Sequence, residues 1–471
     1  MELTEVDVAP LDAGRLGRLI GPARADDFDC VADLTRDALG GRAVVNVNST
    51  ANGGGVAELL RTLLAYARGV GVDTRWLVIE GDPGFFEITK RVHNHLYGTA
   101  GDGGPLGPDE RAEYEAVLAP NGAVLRASVT AGDVVILHDP QTAAMVPTLR
   151  AAGHRVVWRC HIGRDEPNEH TVTGWDFLRP YLEDADAFVF TKARFAPDWV
   201  DPDRLHVITP SIDPFSPKNE TLDPEAVATV LTASGILAGA VESDLYRHED
   251  GRMDRMAVTV DTLGTGPVPP DVPVVAQLSR WDPQKDMVGV MRAFAMHVDP
   301  TLDVHLLLTG PSVAGVDDDP EGGKVLTECL AEWATLPPRV RARVHLHAVP
   351  MDDGDAAATI ANALQRHATI VTQKSLAEGF GLTVVEAMWK HRAVVATRVG
   401  GIVDQIDDGA QGLLVDDPAD LPGFAAALVA LLTDAPRTSR LGQAAYDRAH
   451  REFLGDLHLE RYGRLIAGLL T

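Results

Sequence analysis

Cysteine is nearly absent from this chain. Its three cysteines, Cys30, Cys160 and Cys329, are odd in number and far apart, which argues against a disulfide framework or a clustered thiolate metal site. Long apolar runs are missing too. None approaches the roughly 18–20 residues that a membrane-spanning helix needs. The opening stretch MELTEVDVAPLDAG is acidic and lacks the basic, then apolar, order of a secretory leader. Positive charge is in short supply: 42 Lys and Arg stand against 68 Asp and Glu, a formal net charge of −26. That balance disfavours nucleic acid or an anionic membrane as a partner, while leaving room for a local cationic pocket that takes a small anion. The expectation is a cytoplasmic protein that works on small molecules, with a homodimer allowed.

What is present is ordinary globular composition, 45% hydrophobic and 23% charged, over 471 residues. At about 150 residues per domain that suggests two or three domains. From residue 42 onward short β-branched runs alternate with helical stretches of ten to fifteen residues. Strands are expected at Ala43–Asn48, Trp76–Ile79, Val134–Leu137, Arg155–Cys160, Ala187–Phe190 and His206–Thr209. The segment PSIDPFSPKN, residues 210–219, has three prolines and no periodicity and reads as a linker. Residues 234–272 are polar and rich in glycine and proline, as in a long surface loop or partly ordered insert. The pattern then restarts, with strands at Val274–Leu278, Val304–Thr309, Val344–His347, Ile370–Thr372, Val394–Thr397 and Leu413–Val415, and ends in two helical stretches. The reading is α/β: two doubly wound, Rossmann-like domains facing each other across a cleft, with ligands beyond the carboxyl ends of the strands. An N-terminal extension covers 1–41, the first domain 42–215 and the second 216–455.

Three motifs carry chemistry. In Asn46-Val47-Asn48-Ser49-Thr50-Ala51-Asn52-Gly53-Gly54-Gly55 a strand passes through glycines into a helix. Missing side chains at Gly54 and Gly55 let backbone approach a ligand, and a helix start favours an anion. It is neither a dinucleotide fingerprint nor a P-loop. In Glu378-Gly379-Phe380-Gly381-Leu382-Thr383-Val384-Val385-Glu386, Glu378 ends a loop and Glu386 lies inside the following helix. The amides of Leu382 and Thr383 would open that helix toward phosphate oxygens. In Ser279-Arg280-Trp281-Asp282-Pro283-Gln284-Lys285, Arg280 and Lys285 follow the first strand of the second domain. Two cations converging there suit a diphosphate whose charge grows as it leaves. Each motif alone is weak; together they are not.

In combination, the glycine turn, SRWDPQKD and EGFGLTVVEAM resemble the retaining glycosyltransferases of the GT-B fold, family 4, from residue 42 to the C-terminus. The resemblance implies transfer from a nucleotide-activated sugar with retained configuration and no obligatory metal or cofactor. It puts Arg280 and Lys285 on the diphosphate, Glu378, Gly379, Phe380 and Gly381 at the donor sugar, Glu386 on the ribose, and the final helix, 456–471, back on the first domain. The first-domain stretches NVNSTANGGGVAELL, FFEITKRVHNHLYG, LHDPQTAAM and WRCHIGRDEPN are similar to trehalose glycosyltransferring synthases. Those join ADP-, UDP- or GDP-glucose to glucose, and the partners implied are small sugars and a nucleoside diphosphate. Trehalose phosphorylases, which use inorganic phosphate, share the pattern, and a sugar-nucleotide-binding regulatory protein without turnover is the reading from another class.

Among other polar residues, His161 ends the strand Arg155–Cys160 and matches, by resemblance, the family's active-site histidine, which touches and orients the donor sugar. Asp139 and Gln141, in HDPQ, are expected to bind acceptor hydroxyls, although Asp before Pro is also a turn former. Asn46, Asn48 and Ser49 are polar enough for the acceptor site, with turn capping as the alternative. Trp175 could stack on a sugar ring, with core packing the stronger reading. His93 and His95 point to different faces of one helix, which argues against zinc.

Overall fold

The computed structural model describes residues 3–51, 54–313 and 320–471. The chain divides into two compact units: Met1–Ser211 with Glu378–Phe380 and Phe453–Thr471, and Ile212–Ala377 with Gly381–Glu452.

The first unit is built on β1 (Thr4–Glu5), β2 (Val44–Asn48), β3 (Thr74–Val78), β4 (Val134–His138), β5 (Arg155–Cys160), β6 (Ala187–Phe190) and β7 (Leu205–Val207), in the spatial order β1-β3-β2-β4-β5-β6-β7. β1 is antiparallel to β3, and every other pair is parallel. β2 and β4 are buried at every position, so their near-continuous apolar runs belong to a parallel sheet covered on both faces. One face packs Val45, Val47, Leu137, Trp158 and Phe190 under helices that include Pro83–Leu96 and Glu169–Leu182. Trp175 packs against that core, edge-on to Trp158 and Phe190, which bears out the core reading. The other face packs Val44, Ile136, Val157 and Val189 against Leu465 and Ile466 of the terminal helix Gly455–Leu470.

Residues 1–41 are more than an extension. They supply an edge strand and the helices Ala13–Ile20 and Pro22–Leu39, the latter packed along Gly455–Leu470. Arg24 grips the fully buried Asp456 carboxylate with Nε and Nη2, both at 2.9 Å, tying the two ends of the chain together. The periodicity of this stretch is short and interrupted by Gly21-Pro22, which is why the helices do not announce themselves in sequence.

In the second unit β8 (Leu245–Arg247) pairs only with β9 (Met253–Arg255), as a small hairpin. The sheet comprises β10 (Asp261–Thr262), β11 (Val274–Leu278), β12 (His305–Pro311), β13 (Val344–Val349), β14 (Ile370–Gln373), β15 (Ala393–Thr397) and β16 (Gly412–Val415), ordered β10-β13-β12-β11-β14-β15-β16. Only β10 is antiparallel. The stretch 234–272, expected as a loose surface insert, is tied down. Tyr246, Met256, Val260 and Val268 are buried, Leu237 bridges Val268, and β10 caps the sheet edge.

Strand order reverses between β2 and β4 in one sheet and between β11 and β14 in the other. Open α/β sheets bind ligands at such points, beyond the strand carboxyl ends. The loops that leave these four strands contain the glycine turn, HDPQ, SRWDPQKD and the start of EGFG.

Candidate functional site

In the first unit, β4 and β5 end side by side and deliver His138, Asp139 and His161. His138 Nδ1 lies 3.1 Å from His161 Nε2, and His138 Nε2 lies 3.1 Å from Asn46 Oδ1. The two rings are nearly parallel, with centroids 5.4 Å apart. Burial, reinforced by Arg159, pushes His138 down to about 3 and holds His161 well below the usual imidazole range, so both are neutral near pH 7. With the Asn46 oxygen toward His138, His138 carries its proton on Nε2 and accepts at Nδ1 from the His161 Nε2–H. That leaves His161 Nδ1 as a bare acceptor.

Arg159 sits in the middle of this arrangement. It is fully buried on β5, and Nη2 is 3.3 Å from Thr191 Oγ1. Nε and Nη1 have no hydrogen-bond partner among the described residues. Sequence reasoning passed over it; the signal was a lone charge inside the strand RVVWRC. His458, from the terminal helix, is also pushed down to about 3, by burial first and then by Arg159. Behind these groups lies a cavity of about 80 Å³, with Asn46, His138, His161 and His458 at its polar end and Leu63 and Ile466 among its apolar walls.

Asp139 adopts φ +62° and ψ 177°, a region that a residue with a Cβ enters only under strain. Three contacts hold it there. Its amide donates to the Arg159 carbonyl at 2.8 Å, its carbonyl accepts from Trp158 Nε1 at 3.2 Å, and its Oδ1 accepts from the His161 amide at 2.7 Å. Burial pushes the carboxyl up to about 7, against the opposing pull of the His161 amide and Arg159. The strained turn therefore aims a readily protonated carboxyl beside His161. Gln141 follows in the 3-10 turn Pro140–Met145, half-buried.

Asn48 is committed elsewhere: Oδ1 accepts from Trp76 Nε1 and Nδ2 donates to the Thr50 carbonyl, both at 2.7 Å. It holds the turn after β2, with Ser49 half-buried beside it. Gly54 and Gly55 open the helix Gly54–Gly69, whereas Asn52 and Gly53 of the same turn lie outside the described residues.

The segment Glu378–Phe380 packs with this unit. A Cβ on Gly379 would come within 2.6 Å of the His161 carbonyl oxygen and 3.1 Å of the Tyr97 hydroxyl, so only glycine lets the segment run this close. Phe380 is edge-on to Phe453 at 5.8 Å. Glu378, the residue before Gly379, is 7% exposed.

In the second unit, Arg280 and Lys285 leave β11 as expected. Arg280 is half-exposed and pairs with Asp282 at 3.3 Å. Lys285 ends the 3-10 turn Pro283–Lys285. Gln277 ties this loop to the one after β14, donating to the Lys285 carbonyl at 2.7 Å and accepting from the Lys374 amide at 3.0 Å. Lys374 is almost fully buried and ion-paired with Asp286, which caps the helix Met287–His297. Gln277 and Lys374 were missed from sequence because their roles depend on which loops meet. Gly381, at φ +88°, starts the helix Leu382–Trp389 with no side-chain cap, so the first amides, Leu382 and Thr383 among them, are left for an anion. One turn on, Glu386 is 2% exposed.

Two doubly wound sheets, each with polar groups at its switch point, make up the GT-B fold. Solved structures with this fold include a trehalose-6-phosphate synthase (TM-score 0.67, 13% identity, covering 91% of this chain and 98% of that one). Another is a Burkholderia xenovorans trehalose-phosphate synthase in complex with glucose-6-phosphate (TM-score 0.65, 16% identity, 90% and 100% covered). Residues 46–197 match the family described as "Trehalose synthase, N-terminal domain", and residues 265–448 match "Glycosyl transferases group 1". The trehalose synthase of Rubrobacter xylanophilus is 35% identical over 92% of both chains, and that of Pyrococcus horikoshii 33% over 90% of both. The chain belongs to the trehalose synthase family. It is also 26% identical to a trehalose phosphorylase of Pleurotus pulmonarius, matching 52% of that longer protein. No helix among the described residues is long and apolar enough to cross a membrane.

Proposed function

We propose that the protein transfers glucose from a nucleoside-diphosphate glucose, with retention, to C1 of free glucose, forming trehalose and a nucleoside diphosphate. The observation that carries this is the grouping in the second unit: Arg280 and Lys285 after β11, and after β14 a helix start without a side-chain cap, followed by buried Glu386. That is a cradle for a diphosphate joined to a diol. The second unit is then the donor half and the first unit the acceptor half.

As the donor C1–O bond breaks, negative charge gathers on the leaving phosphate. Arg280, Lys285 and the amides of Leu382 and Thr383 meet it in place. Glu378 holds hydroxyls of the sugar being transferred and Glu386 those of the ribose. His161 Nδ1 accepts from a donor hydroxyl, while Asp139 and Gln141 orient the acceptor. The acceptor hydroxyl attacks on the face the phosphate leaves, and its proton passes to the departing phosphate oxygen. No protein carboxylate is needed as the nucleophile of a double displacement. Side-chain cations and helix amides supply the positive charge, so exhaustive chelation should leave turnover within about twofold.

The synthase reading is favoured over the phosphorylase because the chain is 35% identical to a synthase over 92% of its length and only 26% identical to a phosphorylase over 82%. Incubation with ADP-, UDP- or GDP-glucose, each with and without glucose, tests it. Trehalose and nucleoside diphosphate should form only when both substrates are present. Trehalose cleavage that needs phosphate and ignores nucleoside diphosphate would move the assignment to the phosphorylase. Tight nucleotide binding without any product would make the protein a binding module.

A further inference from the structure

We infer that Lys218 is a positioning residue for the nucleotide: it is the counter-ion that holds the Glu386 carboxylate in place while the ribose diol binds it. The inference deepens the proposed function and rests on the reading of Glu386 as the ribose acceptor.

The segment PSIDPFSPKN looked like a bare connector in sequence. Lysine is scarce in this chain, seven residues in all, and the one in this segment is aimed at the site. Backbone on both sides of Lys218 is clamped. The Pro217 carbonyl accepts from Asn362 Nδ2 at 3.0 Å, and the Asn219 carbonyl from Trp389 Nε1 at 3.1 Å and Arg366 Nη2 at 3.2 Å. The Asn219 side chain accepts from Lys390 Nζ at 2.9 Å. Held this way, Lys218 puts Nζ 3.2 Å from Glu386 Oε1. The pair is lopsided: the Glu386 side chain is 3% exposed and that of Lys218 27%. The carboxylate is interior and its cation sits at the rim.

Other charged groups surround this point without meeting the carboxylate. Lys390, on the same helix, donates to the Glu386 carbonyl at 3.1 Å. Arg366, from Gly354–His367, is spent on carbonyls of the 217–220 segment. Glu220 of that segment is bound by His248. Lys374 is held by Asp286. Tyr446 and His450, from Ala435–Glu452, stack on Trp389. Among the described residues, Lys218 alone is within ion-pair distance of the Glu386 carboxylate.

Ribose hydroxyls are neutral, so they cannot replace the charge that Lys218 provides. A buried carboxylate stripped of its cation is left uncompensated and without the contact that fixes its orientation, so its charge-assisted bonds to the diol are lost. Lys218 therefore acts on the nucleotide through Glu386.

The test is calorimetric binding of the preferred nucleoside diphosphate, and of inorganic diphosphate alone, to the wild type, Lys218→Met, Lys218→Arg and Glu386→Gln. Lys218→Met should weaken nucleotide binding by about tenfold or more. Lys218→Arg should bind like the wild type. Glu386→Gln should be weakened at least as much as Lys218→Met. Inorganic diphosphate should bind Lys218→Met and the wild type alike, since it has no diol. Wild-type affinity in Lys218→Met, no rescue by Lys218→Arg, or an equal loss of inorganic diphosphate binding overturns the inference while leaving the ribose reading intact. Unimpaired nucleotide binding by Glu386→Gln instead overturns the ribose reading, and this inference with it.

Discussion

Acid sensitivity of the second unit follows from three histidines stacked along one face of its sheet. His305 Nδ1 on β12 is 2.8 Å from His345 Nε2 on β13, and His345 Nδ1 is 2.8 Å from the Gly266 carbonyl. His347, two residues along the same face, is fully buried, with neither ring nitrogen hydrogen-bonded to a described residue. Burial pushes both His345 and His347 down to about 4; the Gly266 carbonyl opposes the shift at His345, while His305 adds a smaller push at His345 and His345 at His347. Because the folded value lies below the unfolded one, the unfolded chain binds the proton first. Stability is therefore complete above about pH 6.5 and is lost as pH falls from there toward 4. Between pH 7 and pH 5 each such histidine costs about 2 kcal/mol, from roughly 1.5 pH units at about 1.36 kcal/mol each. The informative variant is His347→Leu, which removes one titrating group and two unpaired buried nitrogens together. It should be at least as stable as the wild type at pH 7, and its advantage should widen by about 2 kcal/mol at pH 5. Urea unfolding followed by circular dichroism at pH 7, 6 and 5 measures the gap. A pH-independent gap would refute the account of His347 as a buried neutral imidazole.

Three further outcomes concern the site. Glu378→Gln should lower turnover by about 10²-fold or more, because the role proposed for Glu378 puts it on the sugar whose charge changes in the transition state. Glu386→Gln should chiefly raise the donor KM, by the equivalent of about 1–3 kcal/mol; steady-state kinetics showing the reverse would overturn the assignment of roles. Asn46→Asp sets a carboxylate 3.1 Å from His138 in place of the amide and should raise the His138 pKa, so the acid limb of the rate–pH profile should move to higher pH. An unshifted limb would mean that His138 does not govern the protonation of His161. Gly379→Ala forces a Cβ against the His161 carbonyl and should cut turnover at least tenfold with little change in melting temperature; wild-type turnover would show that the segment need not run so close.

Much of the molecule was legible in sequence for a local reason. Parallel strands buried on both faces read as continuous β-branched runs, so β2, β4, β11, β12 and β15 stand where the runs were. The loops after them carry glycine, proline and charge, which mark the ends of strands however the chain is wound. Less was legible where the signal is not periodic. The helices over residues 13–39 are separated by Gly21-Pro22, the longer of them with a weak apolar period, and the 234–272 stretch hides its buried anchors among polar residues.

By itself, the sequence determined which residue types reach the strand ends: Arg280 and Lys285 after one strand, Glu378 and Glu386 around a helix start, His161 after another. Spacing along a chain is enough for that, because a strand end and a helix turn are each a few residues long. Only the tertiary structure decided what those groups meet. It gave Asn48 to Trp76 and Thr50, set Arg159 among three neutral histidines, brought the Glu378 segment against His161, and paired Glu386 with a lysine 168 positions earlier. Charge and hydrogen bonding act over a few ångströms of space. Two groups that far apart in sequence share an environment only once the sheets have folded around them.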